Sequence, residues 1–243
     1  MGKRYIANFH YFDKINTPNK AYWLGFIWAD GYVAKRLRKQ PNGTVRIEYN
    51  LKLSLNQGDA SHIKKFLKDI ESNYPINFYE SKGFTLEDKK IEARAFITNI
   101  YMCKFLYEDL GIQPRRTDAS KVIKHIPEYL YKYFILGLFD ADGSFSAYSG
   151  NNYGDKLNVI FGGSELVLRF IENYLSENSL TNSKVNVHKL SQRHEGKDGG
   201  WLSLRYSGKA QGMKILDYLY DSPIYLDRKY NKYLNIPYHN KQQ

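Results

Sequence analysis

Apolar and polar residues follow two periods along this chain, and the periods change places in the same order twice. Residues 19 to 31, NKAYWLGFIWADG, are apolar around nearly the whole helical circumference, which predicts a helix packed on all sides. YVAKRLRK, a turn at QPNG and TVRIEYNLKLSLN then switch to a period of two. In the last of these, Val45, Ile47, Tyr49, Leu51, Leu53 and Leu55 are expected on one face and Arg46, Glu48, Asn50, Lys52 and Ser54 on the other. ASHIKKFLKDI resumes a helical period, INFYE and IEARAFITN read as strands, and MCKFLYEDLG reads as a helix stopped by Gly111.

The second half repeats the series. PEYLYKYFILGLFDADG predicts a helix opened by Pro127. SFSAY and KLNVIFG predict a hairpin, SELVLRFIENYL a helix, KVNVHKL and WLSLRYS two strands, and GMKILDYLY a closing helix. The two apolar helices align Asp30 with Asp142, 112 positions apart. Duplication at that period implies two similar subdomains with a pseudo-twofold relation, residues 1–114 and 127–243, joined by a linker at 115–126. Four strands per half, polar on one face and covered by helices on the other, predict an α+β architecture.

The repeated Ala-Asp-Gly is chemically awkward. A helix C-terminus carries partial negative charge and disfavours a carboxylate. Two such ends meeting on a twofold axis would add mutual repulsion. A divalent cation resolves both problems, since Mg²⁺ takes one or two carboxylates with carbonyl oxygens and waters. The expected ligands are Asp30 and Asp142, with the exposed carbonyls of Ala29 and Ala141. Gly31 and Gly143 are expected to let the chain turn out of each helix, and Gly25 and Gly137 to let the two helices approach closely. A calcium loop is the weaker rival, because the further acidic positions of that pattern are missing after both motifs.

The pair WLGFIWADG (23–31) and ILGLFDADG (135–143) resembles the two signature helices of the LAGLIDADG homing endonucleases in their single-chain form, and the order of elements agrees over almost the whole chain. The resemblance implies two pseudo-symmetric αββαββα subdomains with saddle-shaped antiparallel sheets and a central two-helix interface. It implies that the eighth motif residues, Asp30 and Asp142, bind divalent metal and that each serves one DNA strand. Trp28 replaces the acid that Asp140 retains at the sixth position; that position is not the family's metal ligand, so Trp28 is expected to pack. The family also uses a basic residue near the last helix of each half. In YLDRKY that residue is Lys229, and in GIQPRRT it is Arg116, an arginine able to clamp phosphate but not to act as a base at neutral pH. Gln57 or Asp59 resembles the polar position that orients attacking water. The metal implied is Mg²⁺, with Mn²⁺ as a substitute and Ca²⁺ binding without supporting cleavage.

The resemblance implies that the polar sheet faces lie toward DNA, and counting along the strands says which residues those faces carry. It takes Ala34, Arg36 and Arg38 from the first strand, Arg46, Glu48, Asn50 and Lys52 from the second, and Arg94 from the fourth. The second half contributes Ser146, Tyr148, Lys156, Asn158 and Arg205. Arginine pairs with guanine and asparagine with adenine in the major groove, so such a face can read bases as well as hold phosphates. Two sheets with strands of about eight residues span about 50 Å, or about 15 base pairs.

Charge adds to this picture. The 243 residues carry 36 Lys and Arg against 25 Asp and Glu, a net +11, which favours a polyanionic partner. One cysteine, Cys103, excludes an internal disulfide and a thiolate zinc cluster. The absence of a long apolar run or signal-like N-terminus predicts an intracellular, cytoplasmic protein with no membrane association, an organellar origin being left open. The expected function is monomeric, site-specific cleavage of double-stranded DNA, as in intron homing, with no protein partner required. The alternatives are an RNA-binding splicing maturase and a non-cleaving DNA-binding protein of the same fold. An intein-borne enzyme is not expected, since nothing flanks the duplicated unit.

Overall fold

The computed structural model describes residues 5–82, 89–114, 117–148, 155–181, 187–189 and 202–237. Thr17 accepts a hydrogen bond from Lys20 N–H and Pro18 fills the first turn, so helix α1 starts at the position its sequence favours and runs Pro18–Asp30. Strands β1 (Tyr32–Lys39) and β2 (Val45–Asn56) follow, then a 3₁₀ turn at Gln57–Asp59, α2 (Ala60–Asp69), β3 (Ile76–Lys82), β4 (Lys89–Thr98) and α3 (Ile100–Lys104). Helix α4 (Ser120–Lys124) lies within the expected linker. The series then recurs as α5 (Tyr131–Asp142), β5 (Ser144–Tyr148), β6 (Lys156–Gly163), α6 (Glu165–Glu177), β7 (Val187–Lys189), β8 (Leu202–Ser207) and α7 (Lys209–Tyr220).

Each half forms one four-stranded antiparallel sheet, ordered β1-β2-β4-β3 and β5-β6-β8-β7. The shared order is what a duplicated unit requires. Between the sheets lie α1 and α5, in which every residue from Ala21 to Trp28 and from Phe134 to Asp140 is buried. All-round apolarity is thus explained by all-round packing. Among the described residues no helix is long and apolar enough to cross a membrane.

Two expectations need correction. Val45 and Ile47 do not reach the core with Tyr49, Leu51 and Leu53; they are exposed, as is Leu37 across from Ile47. The buried part of the hairpin is held to the helical layer by Glu108, which accepts from Lys35 and Tyr49, and the exposed apolar residues lie nearer the turn than these two. A further helix, α8 (Asp227–Leu234), lies beyond the expected closing helix. Its sequence DRKYNKYL carries few apolar residues, so hydrophobic periodicity alone does not announce it. It docks through tyrosines: Tyr230 stacks on Tyr225 with centroids 3.8 Å apart, and Tyr233 on Tyr220 at 5.0 Å.

Candidate active site and nucleic-acid interface

The site begins where α1 crosses α5. A Cβ added at Gly25 would lie 2.1 Å from Phe134 O, and one added at Gly137 would lie 2.1 Å from Tyr22 O. The two backbones therefore touch, and no other residue fits either position. One turn or so beyond this crossing each helix ends in its aspartate. Asp30 is exposed and Asp142 half-buried. Both raise the pKa of the same Lys229 ammonium, so both tips lie within electrostatic range of one group. Gly31 and Gly143 have ordinary extended backbones, φ −73° and −81°, so conformational freedom is not why they are glycines. Space is the reason: an added Cβ would meet Ile27 O at 2.6 Å in the first case and Phe139 Cδ2 at 2.3 Å in the second.

Lys229 lies on α8 and is buried. Its Nζ donates to Phe139 O at 2.6 Å and Gly143 O at 2.5 Å, both at the C-terminal end of α5. A cation there adds a second donor to Phe139 O, which already accepts from Gly143 N–H, and opposes the negative end of the helix dipole. Burial pushes the Lys229 ammonium down to about 8, against the pull of Asp140, Asp142 and Asp30. Asp140, the retained sixth-position acid, is fully buried and accepts from Leu226 N–H at 2.7 Å, Tyr22 O–H at 2.8 Å and Tyr220 O–H at 3.2 Å. Burial pushes its carboxyl up to about 6 despite those donors. The acid therefore fixes the entry to α8, and with it Lys229. Trp28, its counterpart in the first copy, is buried in the core.

The first turn of α8 also reaches across to the first half. Lys65 of α2 donates to Asp227 Oδ1 at 2.5 Å and to Tyr225 O at 3.2 Å. Arg228 Nε donates to Asp59 Oδ2 at 3.0 Å and Oδ1 at 3.3 Å. Asp59, Arg228 and Asp30 line one cavity of about 290 Å³ together with Ser54, Asn56, Lys90 and Glu92. Gln57 is exposed and does not line it; of the two candidates after β2, Asp59 is the one beside Asp30. Arg116 lies outside the described residues. Tyr22, Tyr220 and Arg228 escape the sequence reading, as does the anchoring role of Asp140, although Arg228 adjoins Lys229 in the segment YLDRKY.

The donor set at the tips suits a hard dication. It offers two carboxylates at the ends of helices, each preceded by a half-buried alanine, Ala29 and Ala141, in the last helical turn, where backbone carbonyls are available as further hard donors. Among the described residues no group of three or more His, Cys, Asp or Glu is placed to hold a metal ion.

Strand pairing places the remaining candidates. Ala34 pairs with Asn50, Arg36 with Glu48, Arg38 with Arg46, and Ser54 with Arg94, so these residues share one sheet face. In the second sheet Ser146 pairs with Asn158, Tyr148 with Lys156, and Ile160 with Arg205. Arg36, Arg38, Arg46, Tyr148, Lys156 and Arg205 are exposed, while Glu48, Lys52, Ser146, Asn158 and Arg94 are half-buried. Asn50 departs from the expected open position. It is 2 % exposed, and its Oδ1 has no hydrogen-bond partner among the described residues. Several of these side chains are tethered: Glu48 holds Arg38, Glu92 holds Arg94, and Ser207 donates to Asn158. The same pairing adds Tyr32, Asn77, Tyr79 and Phe96 to the face of the first sheet.

No family model matches the sequence, and no curated protein matches it. Solved structures do match in three dimensions. The I-SmaMI LAGLIDADG homing endonuclease bound to cleaved DNA superposes with a TM-score of 0.57 at 15 % identity, covering 91 % of this chain and 87 % of that one. The I-LtrWI LAGLIDADG homing endonuclease bound to target DNA gives 0.53 at 13 % identity, covering 97 % and 92 %. The LAGLIDADG meganuclease I-AabMI bound to uncleaved DNA gives 0.53 at 12 %, covering 88 % and 86 %. The chain has the fold of the single-chain LAGLIDADG homing endonucleases.

Proposed function

We propose that this protein is a site-specific double-strand DNA endonuclease of the homing type, dependent on a divalent metal such as Mg²⁺ and hydrolysing one phosphodiester per strand. The observation that carries this reading is the convergence of two aspartate-tipped helices beside one buried ammonium, at the junction of two sheets with basic polar faces. Three proteins of the same fold are described as bound to DNA, which supports duplex DNA as substrate and partner.

In this reading Asp30 and Asp142 hold the metal through hard oxygen atoms, with the Ala29 and Ala141 carbonyls as neighbouring donors. Once bound, the ion supplies Lewis-acid stabilisation of phosphate charge and a more acidic water. The protein contributes position and protons. Exposed Arg36, Arg38, Arg46 and Arg205 grip phosphates and guanine edges, and Lys52, Arg94, Lys156 and Asn158 complete the two faces. Lys229 Nζ, with a pKa near 8, carries a proton at neutral pH that it can give to the departing alkoxide oxygen beside the Asp142 tip, leaving a neutral amine. Two tips provide one centre for each strand, and two different sheet faces provide an asymmetric target.

The test is cleavage of a plasmid carrying target sequences selected from a randomised library. With Mg²⁺ the native protein should linearise it, and Asp30→Asn or Asp142→Asn should stop double-strand cutting. Linear product formed at an undiminished rate by either variant refutes the assignment.

A further inference from the structure

Two of the three consecutive residues that open α8 face the first half of the molecule, and the third faces the second. Asp227 pairs with Lys65 of α2, Arg228 with Asp59 ahead of α2, and Lys229 with the end of α5. Asp59 is buried and holds Arg228 through Nε alone among the described contacts. Arg228 lines the cavity that Asp30 also lines, and its side chain is 63 % exposed. An arginine anchored through Nε by one carboxylate, half or more exposed and lining a cavity with Lys90 and the carboxylates of Asp30 and Glu92, keeps donors with which to receive an anion.

We propose that α8 supplies the basic group of both catalytic centres: Lys229 acts at the Asp142 tip of its own half, and Arg228 crosses over to grip the scissile phosphate at the Asp30 tip. Asp59 is then a positioning residue, holding the guanidinium in place rather than touching substrate. The inference rests on the endonuclease reading and extends it, because it makes the two centres chemically unequal. Arginine keeps its charge at any working pH and clamps phosphate bidentately, whereas Lys229 can exchange a proton.

The experiment uses the full chain and a duplex recovered from a randomised pool by binding, with each strand end-labelled separately. Arg228→Gln should slow cleavage of one strand at least tenfold while the other strand is cut at the native rate, so that nicked product accumulates. Lys229→Met should impair the opposite strand. Asp59→Asn should reproduce the strand bias of Arg228→Gln more weakly. A purely structural ion pair would instead lower the melting temperature and slow both strands alike, and that result overturns the inference, as does native cutting of both strands by Arg228→Gln. If the native protein binds the duplex but cuts neither strand, the endonuclease reading fails on its own. The salt dependence then decides the arginine contact: Arg228→Gln should reduce the slope of log affinity against log salt by about one, and an unchanged slope overturns it.

Discussion

Tyr22 has one hydroxyl proton and two buried partners, Asp140 at 2.8 Å and His62 at 2.9 Å. With that proton given to the carboxylate, His62 donates from Nε2–H, and its Nδ1 is a bare, buried acceptor without a hydrogen-bond partner among the described residues. Burial, aided by Lys65, pushes the imidazole down to about 3 from 6.5, so His62 is neutral in the fold. The sign of the pH effect follows. Between about pH 6.5 and pH 3 the unfolded chain binds a proton at His62 that the folded one does not, so stability is lost as pH falls through that window. The loss from this residue between pH 7 and pH 5 is about 2 kcal/mol. His62→Gln retains a donor toward Tyr22 but cannot titrate. Urea unfolding at both pH values should show the native protein losing about 2 kcal/mol more than the variant. Equal losses would mean that the imidazole titrates normally in the fold.

For the helices the decisive quantity is the closeness of α1 and α5. Each glycine faces backbone atoms of the other helix, which cannot rotate away as a side chain can. Gly25→Ala or Gly137→Ala should therefore destabilise the protein by about 3 kcal/mol, at the upper end of typical overpacking costs. Gly58→Ala is the control: its added Cβ would have only Asn56 Oδ1 near, at 3.5 Å, and stability should change by less than about 0.5 kcal/mol. Thermal denaturation of the three variants checks both expectations. A mild effect at Gly25 would mean that the helices separate more easily than this contact allows. Because Asp30 and Asp142 end these same helices, loss of the close crossing would also disturb the spacing of the two carboxylates.

At the scale of the whole molecule, a net charge of +11 meets two sheet faces that carry exposed Arg36, Arg38, Arg46, Lys156 and Arg205. If those faces lie on duplex DNA with 6–10 phosphate contacts, affinity should fall by about 10³–10⁵ between 50 and 200 mM salt. Fluorescence anisotropy with a labelled duplex measures this directly, and a flat salt response would remove the DNA-binding role of the faces. The strand alternation in the sequence was sufficient to assign most of these residues to one side, because a period of two survives any sheet twist. It could not foresee Asn50 being covered, nor Arg38 and Arg94 being tethered by Glu48 and Glu92, since cover and cross-strand partners depend on register.

The primary structure by itself determined the duplicated order of elements, the all-round burial of two helices and the aspartate at the end of each. These follow from local periodicity and from a motif written twice, and neither needs a partner to be recognised. Tertiary structure alone decided that Asp140 is a buried anchor, that His62 is kept neutral, and that Arg228 leaves its own half to stand beside Asp30. Those outcomes depend on which groups are desolvated together and which chain segments are brought within hydrogen-bonding distance across 80 or more residues, and no local pattern encodes either.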